Sequence, residues 1–433
     1  MSHFHNLLSR EHDLLNLIAE RQDRILQWIE PYERSNELPF YSSVDIRDAG
    51  FKMAVVDTNI FPAGFNNLCE HGLRDAQGFL KDAIQRRVPH ARDILIIAEE
   101  HTRNTWYLEN VRILQTIIQQ AGFNAIVATF LKVQPAFCEQ TRFVEFITAA
   151  GEPLRVYCLG HLLEEFQRGH RPLDLVILNN DLSSGIPDLL RRSTIPIYPS
   201  IQAGWHARLK SLHFQHTDML LNELGDILEI DPWLFSTLFR ALGHIDINTD
   251  ESRQQLQDTA SDLLNAIKTK YRQHHIDEKP YLVIKSDYGT YGMGVLAIED
   301  PGDIASLNNK KRTKLLSGKG ARRNDRYLIQ EGIPTIYQHN NKVSEVCMYQ
   351  IENHLIGGFF RTHRSKTARQ NLNAKGMNFD RMCPHNDQHR DCLFERKSAA
   401  ERPLSVFDIY RLLARIAAVA AHREIRELEE NTQ

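Results

Sequence analysis

KSDYGTYGMGV, residues 285–295, constrains the fold of this chain more than any other stretch. Three glycines (Gly289, Gly292 and Gly294) lie between two apolar runs, YLVIK (281–285) and VLAIE (295–299), and Lys285 closes the first run. Glycine lets backbone N–H groups close on phosphate oxygens with no Cβ in the way, and a lysine adds a point charge. A Walker A loop needs Gly-Lys, then Ser or Thr, then a helix, but the Gly318-Lys319 pair runs on into Gly320. A Rossmann loop opens a helix, whereas VLAIE continues as strand. In a protein kinase the glycine loop precedes its lysine, and here the lysine comes first. Two readings remain: a strand–loop–strand cover for phosphates, or a plain glycine-rich hairpin.

The residues downstream favour the cover. YLIQEGI (327–333) reads as a strand ending in Gln330-Glu331-Gly332. A backbone edge and a carboxylate there suit an adenine amino group and a ribose hydroxyl; the alternative is an edge strand with a solvated Glu331. Strands at 343–351 and 354–361 carry Glu345 and Arg361. The guanidinium fork of Arg361 suits a transferring phosphate or a substrate carboxylate. Asn371 and Asn373, spaced i, i+2 on an extended segment, point the same way and offer hard oxygen ligands of the kind magnesium takes. Turn chemistry is their alternative.

The first half has a different texture. Apolar runs at 53–56, 94–98, 125–130 and 174–178 alternate with amphipathic stretches, which predicts an α/β layer with a largely parallel sheet. Residues 4–30 have helical spacing that Pro31 ends, 205–275 read as helix without a convincing strand, and 406–429 form an amphipathic helix. The fold class is therefore α/β (α+β). The expected parts are an N-terminal helix (1–38), an α/β substrate domain (39–204), a helical segment (205–279) and a nucleotide-binding domain (280–433). Polar residues cluster near strand ends, where open α/β sheets hold ligands. One cluster is Asp45, Arg47, Asp57, Asn59, Asn66 and Asn67; another is Glu99, Glu100, His101, Arg103 and Asn104. Helix caps and turns would explain the same residues without a ligand. Arg208 and Lys210 fall near the domain junction, and Lys210 is a candidate for the nucleotide.

Composition excludes several functions. With 42% hydrophobic and 25% charged residues and a net charge of -3, the chain is globular and has no basic excess for nucleic acid or an anionic membrane. No apolar run nears a membrane span, and the N-terminus lacks the pattern of a signal peptide. Six cysteines (69, 138, 158, 347, 383 and 392) form no CxxC pair and read as reduced thiols in a cytoplasmic protein.

The order Lys-strand, glycine loop, strand, Gln-Glu-Gly, Arg-strand and Asn-x-Asn over 280–380 resembles the ATP-grasp fold of D-alanine–D-alanine ligase and glutathione synthetase. Those enzymes usually carry Glu-x-Asn where this chain has Asn371-Leu372-Asn373; RQNLNAKG also looks like a glutathione synthetase loop, which would move the metal carboxylates to Glu345 or Glu352. Over most of its length the chain resembles the proteobacterial ATP-grasp type of glutamate–cysteine ligase. DIRDAGFKMAVVDTNIFPAGFNN, EEHTRNTWY, KSDYGTYGMGV and NLNAKGM carry that likeness, although Gln370 and Lys375 stand where the family has an acidic residue and Pro. The resemblance implies ATP and Mg2+, small-molecule substrates, and ligation of the γ-carboxylate of glutamate to the amine of cysteine through an acyl phosphate. This is the first step of glutathione synthesis. It also implies Lys285, the three glycines, Gln330 and Glu331 on the nucleotide, Arg361 on the transferring phosphoryl group, and Asn371, Asn373 and Glu345 on metal. The two N-terminal clusters would hold substrate. Alternatives are a related ligase with another amine acceptor, a non-catalytic ATP-binding protein, and a zinc site at Cys383, His385, His389 and Cys392.

Overall fold

The computed structural model describes residues 2–34, 38–101, 103–130, 143–169, 172–289, 294–316, 324–383 and 405–431. Gly292, Cys138, His385, His389 and Cys392 lie outside the described residues. The chain opens with α1 (Ser2–Glu20) and α2 (Gln22–Arg34), then a hairpin of β1 (Ser42–Asp48) and β2 (Met53–Asn59). Next come α3 (Glu70–Arg87), β3 (Asp93–Ala98), α4 (Thr105–Gln120), β4 (Asn124–Thr129), β5 (Phe143–Ile147) and β6 (Pro153–Cys158). They lead to α5 (Leu159–Gln167), β7 (Leu175–Asn179), α6 (Asp188–Arg191), β8 (Ile197–Tyr198) and α7 (Lys210–Leu228). After these come β9 (Phe239–Leu242), α8 (Asp250–Gln273), β10 (Leu282–Ser286), β11 (Leu296–Ile298), α9 (Asn309–Leu316) and β12 (Tyr327–Glu331). The chain closes with β13 (Gln338–His339), β14 (Lys342–Ile351), β15 (His354–His363), β16 (Met377–Arg381) and α10 (Val406–Glu430).

These strands make three sheets. The first, β5-β6-β4-β3-β7-β8, is parallel except for β5. Its strands read as unbroken apolar runs because both faces are covered: Ile94 and Ile96 pack on one side, Leu95 and Ile97 on the other. The second sheet, β11-β10-β12-β9, is antiparallel and lays Leu282, Ile284 and Ile329 on α8. The third, β16-β15-β14-β1-β2 with β13 on β14, joins the N-terminal hairpin to the C-terminal strands. One face of this junction sheet is apolar (Val44, Ile46, Val346 and Met348) and rests on α10. The other carries Asp45, Glu345 and Cys347.

Several expectations change. The 53–56 run belongs to the junction sheet, beside β1, and not to the parallel layer. The segment 205–279 is not wholly helical: β9 pairs with β12, and its four residues are too few to betray a period. Pro31 does not end the helix. It lies in the last turn of α2, where its missing N–H removes a single bond. The helix α10 is buried nearly all round, with Ala414, Ala417, Ala418 and Ala421 letting it pack closely. Cys69, Cys347 and Cys383 are thiols, but Cys158 is disulfide-bonded, a pairing that sequence spacing cannot reveal. Among the described residues no helix is long and apolar enough to cross a membrane.

Glu331 departs furthest from its expected role. β12 is no edge strand: β10 and β9 flank it, and the Glu331 N–H donates to Leu238 O. Strand alternation puts Glu331 on the α8 face, opposite to Gln330. There its Oε2 accepts from Lys52 Nζ (3.0 Å), Trp233 Nε1 (3.0 Å) and the Leu238 N–H (3.1 Å). Burial pushes the Lys52 ammonium down to about 8, against the pull of Glu331. This carboxylate is a structural anchor. Lys52→Met should therefore destabilise the protein by about 3 kcal/mol, because it leaves a buried charge unpaired. Glu331→Gln should leave ATP affinity unchanged within about twofold, since its cost falls on the core and not on a ligand. Denaturant unfolding and calorimetric ATP titration measure the two effects.

Candidate active site

Lys285 and Leu328 oppose one another across β10 and β12, as do Val283 and Gln330, so Lys285 and Gln330 share the face turned away from α8. The Lys285 Nζ donates to Val56 O on β2 (2.9 Å) and lies 5.2 Å from the centre of the Phe214 ring. Burial first, and then the nearby Lys210, push its ammonium down to about 7, against the pull of Asp57. Asp57, on β2, pairs with Lys210 at the start of α7. Burial opposes its charge, but Lys210, Lys285 and Arg208 outweigh that and hold its carboxyl at about 2. Its side chain keeps 42% exposure, so the carboxylate stays reachable.

The surroundings of this trio are closely built. Asp287, two residues after Lys285, caps α7: its Oδ1 and Oδ2 accept from the Ser211 N–H and hydroxyl (both 2.8 Å). Arg208 forks onto Glu424 of α10 (2.7 and 2.9 Å) and donates to Thr58 O (3.1 Å). His213 bridges Glu424 and the Thr58 hydroxyl. Trp205 spreads under Arg208 and Lys210, each 4.6 Å from the ring centre. A Cβ on Gly289 would come within 2.1 Å of that ring, so glycine is required where the loop leaves β10. Gly294, at the far end of the loop, has φ +70°.

A second cluster lies on the junction sheet. Arg361 of β15 grips Asp45 of β1 (2.7 and 3.2 Å) and Glu345 of β14 (2.7 Å). The other Glu345 oxygen accepts from Arg47 Nε (2.8 Å). Burial works against the Glu345 charge, but Arg47 and Arg361 keep its carboxyl below the ordinary value. The Cys347 thiol donates to Asp45 (2.7 Å), and burial with that neighbour pushes it well up, so it remains protonated. Asp45 and Asp57 face each other directly across β1 and β2, which joins the two clusters.

The remaining candidates are spread out. Asn59 holds the Phe61 N–H (3.0 Å), and Asn66 and Asn67 form a short 3-10 turn near β16. Glu99, at the end of β3, accepts from the Asp181 N–H (2.9 Å); Asp181 O in turn accepts from the Trp205 N–H. Glu100, Arg103 and Asn104 are exposed, and Asn104 caps α4 by accepting from the Tyr107 N–H. The Asn371–Asn373 segment is a turn and not extended. Asn371 Oδ1 accepts from the Asn373 N–H (3.0 Å), and its amide donates to Asn373 O (3.1 Å). Glu352 sits in the β14–β15 turn, ion-paired with Arg86 and Arg87 at the opposite end of β14 from Glu345. Among the described residues no group of three or more His, Cys, Asp or Glu side chains could hold a metal ion. Sequence reasoning misses Trp205, His213, Cys347 and Glu424. The first two sit close to the flagged Arg208 and Lys210, but Glu424 offers no signal short of the fold.

Residues 16–425 match the glutamate–cysteine ligase family. A structure from Methylobacillus flagellatus KT, assigned as a γ-glutamylcysteine synthetase, is similar at 31% identity, with a TM-score of 0.80 and 96% of each chain covered. D-alanyl-alanine synthetase A from Vibrio cholerae is similar at 11% identity and a TM-score of 0.30, over 64% of this chain and 68% of that one. No curated protein matches. The family match and the likeness to the Methylobacillus structure define an ATP-dependent carboxylate–amine ligase with an ATP-grasp architecture. Within that class, the chain belongs to the glutamate–cysteine ligase family.

A buried, part-neutralised Lys285 costs stability, so its removal separates the ATP role expected of it from folding. Lys285→Met should lower kcat/KM for ATP by about 100-fold or more. The same change should raise Tm by about 2 °C near pH 7, since methionine needs no desolvation of charge. The folded-state pKa lies below the ordinary lysine value of 10.5, so the unfolded chain binds the extra proton between about 7 and 10.5. The wild type should accordingly regain stability relative to the variant as pH rises through that window. Thermal melts from about pH 7 to 10 measure it.

Proposed function

We propose that this ligase holds the reacting groups over the seam between β2 and β10, with Lys285 and the glycine loop on the phosphates of ATP and Arg361 steadying the transferring phosphoryl group. The observation that carries this reading is Lys285 itself. It is a buried, part-protonated amine beside Asp57 and Lys210 that donates to a backbone carbonyl, so a phosphate arriving there meets a donor not committed to a carboxylate. Gln330 shares that face and Glu331 does not, which leaves Gln330 as the nucleotide candidate of the pair. Asp57, reachable and negative, suits the α-ammonium group of glutamate.

The chemistry stems from the poor electrophilicity of a carboxylate. Its oxygen attacks the γ-phosphorus of ATP, ADP departs, and an acyl phosphate results. The amine of cysteine then forms the C–N bond, the C–O bond to phosphate breaks, and the amine proton passes to solvent. Positioning and electrostatics supply most of the rate, so no nucleophile of the protein is needed. Magnesium is the expected partner of the ATP phosphates. The described side chains do not fit a protein-held ion, because Glu345 is engaged by two arginines and Asn371 by its own turn, and no step is assigned to it. ATP, glutamate and a reduced thiol substrate favour a cytoplasmic setting.

Phosphate release from ATP and magnesium, measured with glutamate alone and then with cysteine or other amines, tests the reading. Release that requires glutamate and rises with cysteine is expected. Faster release with a different amine would move the acceptor, and ATP binding without release would favour a non-catalytic protein. Phosphate beside Lys285 should also raise its pKa. At about pH 8, ATP binding should therefore take up about one proton, seen by calorimetry in buffers of different ionisation enthalpy and lost in Lys285→Met.

A further inference from the structure

We propose that Arg47, grouped by sequence with the substrate residues, is a positioning residue: it fixes the hinge between the second sheet and the junction sheet and the turn that carries Asn371 and Asn373. A guanidinium has five N–H donors, and here each has a protein partner nearby. Nε donates to Glu345 Oε2 (2.8 Å), and Nη2, 2.7 Å from that same oxygen, also donates to Gln370 O (2.7 Å). Nη1 donates to Ile333 O and to Ala368 O (both 3.1 Å). Ile333 belongs to the hinge after β12, and Ala368 and Gln370 to the segment after β15. The two segments also meet directly, because the Thr335 N–H donates to Ala368 O (3.2 Å). Arg369 ties the same segment to the approach to β10 by donating to Lys279 O (2.6 Å).

The hinge, the turn and Glu345 thus converge on a single side chain from β1, and that residue is 7% exposed. No donor is left over for a substrate carboxylate. Lysine cannot replace it, since an ammonium is a point charge with three donors on a flexible stem, whereas the guanidinium fork meets partners in fixed directions. Glu345 also grips Arg361, so Arg47 sets the partner of the residue proposed for the phosphoryl group. Misplacing reacting groups by about 1 Å costs on the order of 100-fold in rate. Loss of Arg47 should therefore act on kcat.

The kinetic part of the test rests on the ligase reading above; hydrogen exchange does not. Arg47→Lys keeps a cation against Glu345 and should fold. Its Thr335 amide should exchange at least about tenfold faster than in the wild type, as expected for a locally loosened hinge. Its kcat should fall about tenfold or more while KM for glutamate and for cysteine stays within about threefold. In Arg47→Ala, about 20 mM guanidinium ion should restore several-fold of the lost kcat by refilling the site. Wild-type protection at Thr335 in Arg47→Lys would overturn the proposal. So would an unchanged kcat with KM for glutamate raised about tenfold, which is the mark of a substrate ligand. If the wild type itself releases no phosphate with glutamate and cysteine, the ligase reading fails while the exchange result still decides the role of Arg47.

Discussion

The run of alternating charges Arg47, Glu345, Arg361 and Asp45 across β1, β14 and β15 is the constraint on which the rest depends. Two cations and two anions leave no net charge, so the face can be buried. Each carboxylate oxygen in the run has a nitrogen or thiol partner, which offsets a desolvation cost of several kcal/mol per ion. Such a run tolerates little slippage. A one-residue shift of β1 against β14 would turn Asp45 and Arg47 toward α10 and bring Val44 and Ile46 to the charged face. The apolar face and the charged face therefore specify the same register independently.

The second group, Lys285, Asp57 and Lys210, is built on the opposite logic. Lys210 and a part-protonated Lys285 meet one reachable carboxylate, and the full charge of Lys285 is disfavoured by its buried setting. Perturbed groups of this kind cluster at functional sites, which is the character the proposed phosphate site calls for. Around it, Arg208 and His213 both pair with Glu424, so α10 and α7 are tied together beside the group.

Legibility from sequence tracks the range of the interactions. The strands flanking the glycine loop, the β14–β15 pair and the long helices are readable because their signals are local. The β1–β14 pairing is not readable, since no local pattern links residues 302 apart in the chain. Glu331 misleads because alternation decides its face, and only the partner Lys52 shows which face is core. Asn371 and Asn373 suggest ligands on an extended segment, but the turn preference of asparagine prevails there. Glu424, the residue that orders Arg208, sits on a helix whose sequence gives no reason to separate it from its solvated neighbours.

The pairing of β1 with β14 has a further consequence for how the chain is made. At translation speeds of about 5–20 residues per second, the N-terminal hairpin waits roughly 15–60 s for its strand partner to leave the ribosome. During that interval the edge of β1 that later meets β14 is without its hydrogen-bond partners, and Asp45 and Arg47 beside it lack the charges that later neutralise them. Those charges discourage premature pairing with another chain, as charged residues do on strand edges generally. The groups that shape the mature site thus also guard the nascent chain until its last third has emerged.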